Sequence, residues 1–473
     1  MKDVSVATRL DRLPITRIHL MAVLVVGLGI FFDLYEVFLA GTVSTALKDD
    51  FHVGEDQLKP LLASAFVGAF IGAVVMSRIA DRLGRRRAFY LTLAVYSAFS
   101  VLAAFSPNVE MLIVCRFLAG LGIGGELPLC DAYLSDLLPK RHRGRLIGWA
   151  YTVGFCGVPL AGFLALGIVP HAYLGVDGWR WMFLIGGLGA ALCWALRRRL
   201  PESPRWLEAM GRHEEADRVV RLFEESAHRN TVAPSQSQPT AAPAPAENAP
   251  AEKAPLRQLV TPPWRTRTIM LVIFQILQVF GYYGFGTLAP LVLATKGYDI
   301  VHSLTFSALS FVGYPIGSLL SVFVIERIER KYLIMLSAFG MLAFGLGFGY
   351  AHNTATIVAF GFCYTLVSNL FSNAYHVYQG ELFPTRLRAT GAGGAYSLSR
   401  LASAVMPYVL LPLLMNHGAN AVFVFIACAM TAVIVNIGLL GPRTTGRSLE
   451  ELTAPGTPAA VGTNVPVRTA QQP

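Results

Sequence analysis

The chain has 473 residues, of which 54% are hydrophobic and only 14% are charged, and its mean hydropathy is +0.51. Soluble domains carry about 25% charged residues, so this composition excludes an ordinary soluble enzyme. The formal net charge of +10 would suit a nucleic-acid-binding protein. However, the basic residues are clustered at the ends of uncharged segments, as in membrane proteins, so we expect a lipid bilayer and no nucleic acid as partner.

Twelve apolar segments are each long enough to cross a bilayer as a helix, which takes about 20 residues. A membrane β-barrel would instead show alternating segments of about ten residues. The sequence therefore predicts an all-α polytopic membrane protein. The predicted spans, numbered 1 to 12, cover residues 18–46, 57–80, 86–106, 110–135, 144–169, 178–198, 266–294, 303–326, 331–351, 354–380, 388–415 and 419–441.

The distribution of basic residues orients the spans. All but six of the 39 Lys and Arg residues fall on one side of the predicted membrane, and the positive-inside rule places that side, with both termini, in the cytoplasm. We call it the inner face and the opposite side the outer face. The six exceptions are Lys48, Lys59, Arg116, Arg180, Lys296 and Arg400.

The spans fall into two groups separated by one long gap. Residues 1–17 form a predicted N-terminus, 18–198 a first six-helix bundle, 199–265 a linker, 266–441 a second bundle and 442–473 a tail. The linker begins with a charged, amphipathic helix near Glu208–Glu225. In Thr231–Pro255, 14 of 25 residues are Pro or Ala, and a stretch with so little apolar bulk is predicted to be disordered.

Shifting the chain by 245 residues aligns its two halves in three separate regions without a gap. Phe66–Gly68 falls on Phe311–Gly313, and Tyr133 falls on Tyr378. Two related halves are typical of transporters that rock two bundles about a central site. The same shift places Gly41, Asp81, Arg85, Asp136, Pro139 and Arg143 on Gly286, Glu326, Arg330, Glu381, Pro384 and Arg388.

Four motifs resemble segments of the major facilitator superfamily. Ser77–Arg86 resembles the loop between its second and third helices, and Arg116–Glu126 resembles its fourth-helix motif. Pro201–Leu207 and Gly446–Glu451 resemble the segments after helices 6 and 12 in sugar porters and organic-ion transporters. The resemblance implies 12 transmembrane helices in two pseudo-symmetric six-helix bundles, and the overall pattern is most similar to bacterial nicotinate (niacin) transporters.

Charged residues at membrane depth are the candidate proton-coupling groups. Asp33 and Glu36 share one face of span 1, and intramembrane carboxylates are functional by default, although such a pair could serve only to keep a cavity wet. The first helix of proton-coupled phosphate and organic-acid transporters, which this span resembles, implies the same role. Glu126 is a second candidate, or a carboxyl that is hydrogen-bonded within a glycine-rich helix face. Asp131 lies nearer the inner face and is expected to be structural.

Arg116 is the predicted partner of an acid in span 1. At 1.5 Å per helical residue, Glu36 lies about 6 Å and Arg116 about 10 Å outside the membrane midplane. Long side chains close such a gap, so we expect Arg116 to pair with Glu36, or with Asp33 if it reaches further in. Alternatively, Arg116 extends to the outer interface without a partner.

Arg400 lies near the middle of span 11, and no acidic residue of spans 7 to 12 lies at a similar depth. Its charge is balanced either by an acid of the other half, such as Glu126, or by the carboxylate of a substrate, which a guanidinium holds with two parallel hydrogen bonds. We favour the substrate, since an Arg on helix 11 accompanies anionic substrates in the organic-anion carriers that this chain resembles. Further candidate substrate-binding residues, each by itself better explained by packing, are Tyr35, Gln275, Gln278, Tyr282, Tyr283, Asn369, Asn373 and Tyr396.

A cytoplasmic gate is predicted from charged residues that recur in the two halves. Opposite charges at the inner ends of the helices can hold the two bundles together when the inner side is closed, although the basic members could serve only to orient the chain. The predicted gate residues are Asp81, Arg82, Arg85, Asp136, Arg143, Glu326, Arg327, Arg330, Glu381 and Arg388.

The sequence thus predicts a monomeric secondary transporter of the bacterial inner membrane that imports a small organic, aromatic monocarboxylate such as nicotinate with protons by alternating access. The alternatives are a porter of sugars or other neutral solutes, an exporter of drugs or organic ions, and a membrane sensor without flux. No nucleophile with a base, metal cluster or phosphate-binding loop is recognisable, so we expect neither an enzyme nor a cofactor or metal.

Overall fold

The computed structural model describes residues 6–230, 256–262, 264–383 and 385–444. Helices make up nearly all of this part of the chain, and the strands within it are the antiparallel pair Ala172–Tyr173 and Val176–Asp177, between spans 5 and 6. The linker stretch 231–255, predicted to be disordered, and the Gly446–Glu451 motif lie outside the described residues.

The described residues form twelve membrane spans, which confirms the predicted all-α polytopic fold. Eleven helical segments in this part of the chain have the length and hydropathy needed to cross a membrane. The last segment contains two spans, because Gly418 interrupts the helical backbone with φ 79° and ψ −179°.

The bounds of the spans agree with the predicted ones to within a few residues. Spans 5 and 8 are each interrupted by one residue. In chain order the spanning helices are Arg17–Thr42, Glu55–Leu83, Arg85–Ala104, Val109–Leu137, Arg143–Phe155 with Gly157–Ile168, Gly178–Arg197, Trp264–Thr295, Ile300–Phe311 with Gly313–Val324, Arg330–Tyr350, Thr354–Glu381, and Thr385–Leu440 for spans 11 and 12.

Shorter helices cover the inner face of the first bundle. The N-terminal helix is fixed by Arg9, whose guanidinium donates hydrogen bonds to Glu224 at 2.8 and 2.9 Å and also pairs with Asp217. The hydrogen bond from Arg9 lowers the pKa of Asp217. These inner helices are Val6–Arg12, Pro204–Ala209 and His213–Asn230; the helix Ser44–Phe51 joins spans 1 and 2 at the outer face, and the 3-10 helix Leu256–Val260 precedes span 7.

The 245-residue repeat is visible in the packing of the helices. A side chain at Gly68 in span 2 would collide with the backbone of Phe117 in span 4. Its counterpart Gly313 in span 8 makes the same close approach to the backbone of Phe362 in span 10. Small residues that let helix backbones touch are the usual means of packing membrane helices, so the two halves use one packing solution twice.

Tyrosines at the inner ends of spans 4 and 10 repeat a second contact. The Tyr133 hydroxyl donates to the carbonyl of Pro201, after span 6, at 2.7 Å. The Tyr378 hydroxyl donates to the carbonyl of Pro442, after span 12, at 2.8 Å. Each hydroxyl binds a carbonyl of the segment that follows the last span of its bundle, so both bundles fix this segment to a central span in the same way.

The two bundles pack closely toward the outer face and leave a cavity on the inner side. Gly41 of span 1 lies directly against the backbone of Thr287 of span 7. Phe38 of span 1 stacks on Tyr283 of span 7, with ring centroids 6.2 Å apart. On the inner side, residues of spans 4 and 5 and of spans 8 to 10 line a cavity of about 650 Å³. The fold is therefore closed outside and opens inward.

Candidate functional site

Two buried ion pairs lie within the first bundle. Arg116 of span 4 pairs with the carboxylate of Glu36 and also donates to its backbone carbonyl at 3.3 Å. Both side chains are at most 1% exposed. This is the pair that the depth estimate favoured, whereas the alternative of an unpartnered Arg116 at the outer interface is wrong.

The second pair joins Glu126 of span 4 to Arg197 of span 6. Glu126 also accepts a hydrogen bond from Thr92 at 3.2 Å, and the Arg197 guanidinium lies 4.2 Å from the centre of the Phe89 ring. The suggestion that Glu126 neutralises Arg400 is therefore wrong in this structure. This suggestion failed because Arg197 directly precedes two exposed arginines, and the sequence pattern placed all three at the inner face.

The helical pattern of span 6 contains a signal for Arg197. Its buried face carries Phe183, Gly186, Ala190 and Cys193, and Arg197 follows on the same stripe. Arg197 is 1% exposed although it ends the helix. Because Arg197 lies on the same helix face as these small and apolar residues, its side chain could have been predicted to point into the bundle.

Asp33 of span 1 is close enough to both pairs to be influenced by their charges and forms no ion pair with a cation of the described residues. It is 1% exposed, and its Oδ1 atom accepts no hydrogen bond from the described residues. Its charge interacts at longer range with those of Arg197 and Arg400. Three buried acids were proposed for proton coupling. Glu36 and Glu126 each pair with an arginine, whereas Asp33 pairs with none among the described residues.

Arg400 of span 11 lies buried in the second bundle and is 2% exposed. Its guanidinium donates to the hydroxyl of Tyr283 at 3.0 Å and to the hydroxyl of Tyr396 at 2.8 Å. It forms no ion pair with a carboxylate of the described residues, and its Nε atom has no hydrogen-bond partner among them. Within the described part of the chain, this buried cation is therefore held by the two tyrosines and by no carboxylate.

Aromatic rings from both bundles surround this guanidinium on the outer side. Tyr283 meets Phe66 of span 2 edge-on, with centroids 5.4 Å apart, and Tyr282 at 4.9 Å. Phe38 contacts Tyr283 from span 1. Because rings of the two bundles interlock here, the cluster both closes the outer side and offers aromatic faces next to a cation.

A chain of amides connects span 7 to the region of Arg400. Gln278 donates to Gln275 at 3.3 Å, Gln275 donates to Gln379 at 2.8 Å, and the Gln379 amide contacts the His376 ring nitrogen at 3.2 Å. His376 in turn packs against Tyr396, with ring centroids 5.5 Å apart. The two predicted glutamines therefore bind each other and span 10.

Three predicted substrate-binding residues point elsewhere. Asn369 donates to the Tyr314 carbonyl at 2.5 Å, and Asn373 donates to Ser321 at 2.6 Å, so both hold span 8 against span 10. The Tyr35 hydroxyl donates to the Met182 carbonyl of span 6 at 3.0 Å. Packing within one bundle accounts for each of them, although Asn373 also borders the inner cavity.

The chain matches the family model described as "Sugar (and other) transporter" over residues 22–454. It belongs to this transporter family. The putative metabolite transport protein YyaJ of Bacillus subtilis (strain 168) is 31% identical over 94% of this chain and 97% of that protein. The niacin transporter NiaP of Acinetobacter baylyi is 30% identical over 95% of this chain and 99% of that protein.

Solved structures share the fold of this transporter. A partially occluded inward open conformation of the xylose transporter XylE from E. coli superposes with a TM-score of 0.73, covering 91% of this chain and 99% of that one at 20% identity. The relatives and the fold are those of transporters and not of enzymes, which confirms the predicted major facilitator architecture.

The charged residues of the predicted gate form ion pairs inside each bundle of the transporter. Arg85 pairs with Asp81 at 2.8 Å and lies 3.9 Å from Asp136. In the second bundle, Arg330 pairs with Glu381 at 3.0 Å. Arg85 and Asp136 are the 245-residue counterparts of Arg330 and Glu381. The inner ends of the two bundles thus carry matching pairs.

The other predicted gate residues are distributed around these pairs. Arg143 donates to the backbone carbonyl of Leu138 at 3.3 Å, and Glu326 lines the inner cavity. Arg82 and Arg327 lie at the inner ends of spans 2 and 8. The side chain of Arg388 lies outside the described residues. A latch between the bundles stays a prediction for the state that is closed on the inner side.

Proposed function

We propose that this transporter imports a small aromatic monocarboxylate, such as nicotinate, together with a proton. The observation that carries the proposal is the buried guanidinium of Arg400, which meets two tyrosine hydroxyls and no carboxylate of the described residues. A buried charge without a counter-ion is costly. An anionic substrate supplies the missing charge, and a guanidinium binds a carboxylate with directional, charge-assisted hydrogen bonds.

The two tyrosines extend the anion site. Each hydroxyl accepts a hydrogen bond from Arg400, so its own hydrogen stays available to donate to a substrate carboxylate. The Arg400 Nε atom is free to donate as well. The rings of Tyr283 and its aromatic neighbours offer faces to an aromatic ring bound next to the carboxylate.

Asp33 is the proposed proton carrier. Glu36 and Glu126 are neutralised by Arg116 and Arg197, whereas Asp33 is balanced only at longer range by Arg197 and Arg400. When a substrate anion occupies Arg400, this balancing effect on Asp33 is lost, and an unprotonated Asp33 would be a second buried anion. Binding of the substrate therefore favours protonation of Asp33. One anion moving with one proton carries no net charge, so the membrane potential does not oppose uptake.

The known substrate of one relative supports the proposed substrate, and the charge distribution supports the proposed orientation in the membrane. The relative at 30% identity from Acinetobacter baylyi is a niacin transporter, and niacin is an aromatic carboxylic acid. The positive-inside rule places both termini in the cytoplasm, and we propose a monomer in the bacterial inner membrane.

The proposal is tested by uptake into proteoliposomes. Radiolabelled nicotinate, benzoate and xylose are each offered to the purified full-length protein, with and without an acid-outside pH gradient. We expect saturable uptake of the two acids, stimulated by the gradient, and none of xylose. Arg400→Ala should abolish binding of both acids, whereas Arg212→Ala, which removes a surface guanidinium paired with Glu215, serves as the matched control.

The sugar porter and the sensor each have their own signature in this experiment. Uptake of xylose and not of acids would support a sugar porter, and binding without flux would support a sensor. Acid uptake that is indifferent to the pH gradient would contradict proton symport. Acid binding that survives Arg400→Ala would show that the anion site lies elsewhere.

A further inference from the structure

The inner cavity contains a carboxylate that the transport scheme above leaves unused. Asp131 of span 4 lines the cavity of about 650 Å³, a volume within the range of about 300–1,000 Å³ that is usual for small-molecule sites. Tyr151 of span 5 lines the same cavity and donates its hydroxyl hydrogen to Asp131 Oδ1 at 2.9 Å. The two residues form what we call the Asp131–Tyr151 dyad.

The dyad differs from the other acids in the middle of the first bundle. Glu36 and Glu126 each bind an arginine. Asp131 forms no ion pair within the described part of the chain. The hydrogen bond from Tyr151 occupies Oδ1, and the second oxygen, Oδ2, has no donor among the described residues. Asp131 is only partly buried. The cavity therefore faces a carboxylate oxygen that lacks a hydrogen-bond donor.

The anion site lies across the bundle interface from the dyad. Tyr396 of span 11 accepts a hydrogen bond from Arg400 at 2.8 Å. His376 packs against Tyr396 and lines the same cavity as the dyad. A hydrogen-bond acceptor of the first bundle thus shares a cavity with His376 of the second, and His376 is connected through Tyr396 to the guanidinium of Arg400.

We infer that the Asp131–Tyr151 dyad is a specificity subsite for a hydrogen-bond donor on the ring of the substrate. Resting on the proposed function, this inference assigns the carboxylate of the substrate to Arg400 and a hydroxyl, amino or protonated ring nitrogen group to Asp131. The transporter then prefers aromatic acids that carry such a donor over plain benzoate. A site built to hydrogen-bond a substituent disfavours the analogue that lacks it, because a buried polar group is left unpaired.

The subsite is tested by the ratio of two affinities. Binding of 4-hydroxybenzoate and of benzoate to the full-length protein in detergent is measured by titration calorimetry for the wild type and for Asp131→Asn. The asparagine keeps the acceptor used by Tyr151 and replaces the free oxygen with a donor. We expect the wild type to prefer 4-hydroxybenzoate and Asp131→Asn to lower that preference by about tenfold, the value of one hydrogen bond to a charged group. Asp56→Asn, which removes a fully exposed carboxylate, is the matched control.

Three other outcomes are informative. An unchanged affinity ratio in Asp131→Asn would overturn the inference and leave the proposed function intact. A loss of pH-driven uptake of both acids at an unchanged ratio would also overturn it and assign Asp131 to proton transfer. If neither acid binds to the wild type, the proposed function fails, and the inference fails with it.

Discussion

The two bundles share a scaffold and differ in the charges at their centres. The inner ends carry matching pairs, Arg85 with Asp136 and Arg330 with Glu381. In the middle of the first bundle, two glutamates are each bound by an arginine. In the middle of the second bundle, Arg400 meets only tyrosine hydroxyls among the described residues.

The repeat preserves the helix packing and the inner-end ion pairs of the two halves, but it does not preserve the charges at their centres. Close helix contacts and inner-end ion pairs stabilise either half in the same way, so the same residues serve at both positions. The central charges do not follow the repeat and differ between the two halves. In the function that we propose, the first bundle handles the proton and the second handles the anion, with Asp33 and Arg400 close enough to influence each other electrostatically.

Replacing Asp33 should have the largest effect on transport. Asp33→Asn keeps the size of the side chain and removes its titration, so the pH gradient no longer drives accumulation. We expect concentrative uptake to be lost while exchange of labelled for unlabelled acid across the membrane continues. Both are measured in proteoliposomes, with Asp56→Asn as control. Concentrative uptake that persists in Asp33→Asn would move the proton site to another residue.

Breaking one buried ion pair should have the next largest effect, on stability. Glu126→Gln leaves Arg197 as a buried, unpaired cation, which costs about 3–5 kcal/mol. The double variant Glu126→Gln/Arg197→Met removes both charges and should recover most of that loss. The measurement is thermal unfolding in detergent. If the double variant is no more stable than Glu126→Gln, the loss of stability does not come from the unpaired charge of Arg197. Asp56→Asn breaks an exposed pair with Lys59 and should cost about 1 kcal/mol or less.

Removing one hydroxyl from the anion site should weaken binding moderately. Tyr283→Phe keeps the ring that stacks on Phe38 and removes one partner of Arg400. A hydrogen bond to a charged group contributes about 1.5–3 kcal/mol, so we expect roughly a tenfold loss of affinity for the acid substrate. Titration calorimetry measures the change. Tyr35→Phe, which removes a hydroxyl bound within the first bundle, should leave the affinity nearly unchanged.

The smallest effects are expected at the matching inner-end pairs. Arg85→Ala removes the partly exposed pairs with Asp81 and Asp136, and Arg330→Ala removes the pair with Glu381; the two arginine side chains are 21% and 15% exposed. Such pairs contribute about 1 kcal/mol or less each. We expect small losses of thermal stability of similar size in the two variants. A loss several times larger in one variant would show that the two ends are not equivalent.

Much of the fold could be predicted from the sequence alone. Apolar segments of sufficient length fix the spans because a bilayer excludes unpaired backbone groups. The join between spans 11 and 12 was predicted at residues 415–419, and the structure breaks the helix at Gly418. The 245-residue shift also predicted which residues of the two halves occupy equivalent positions, as Arg85 and Arg330 do.

The candidate site was predictable only in part. Depth along a helix is a one-dimensional property, and it was enough to bring Arg116 to Glu36. Direction around the helix was not considered for Arg197, which was placed at the inner face and instead reaches Glu126. Tyr35, Asn369 and Asn373 have suitable chemistry for a substrate site, but neighbouring helices take up their hydrogen bonds.

By itself, the sequence determined a twelve-span transporter fold with two related halves and a solitary arginine in the second half. Only the tertiary structure decided which arginine neutralises which acid, that Asp33 is left without one, and that the inner side is open. The reason is physical: span formation depends on the composition of one segment, whereas the balance of buried charges depends on side chains that converge from several helices.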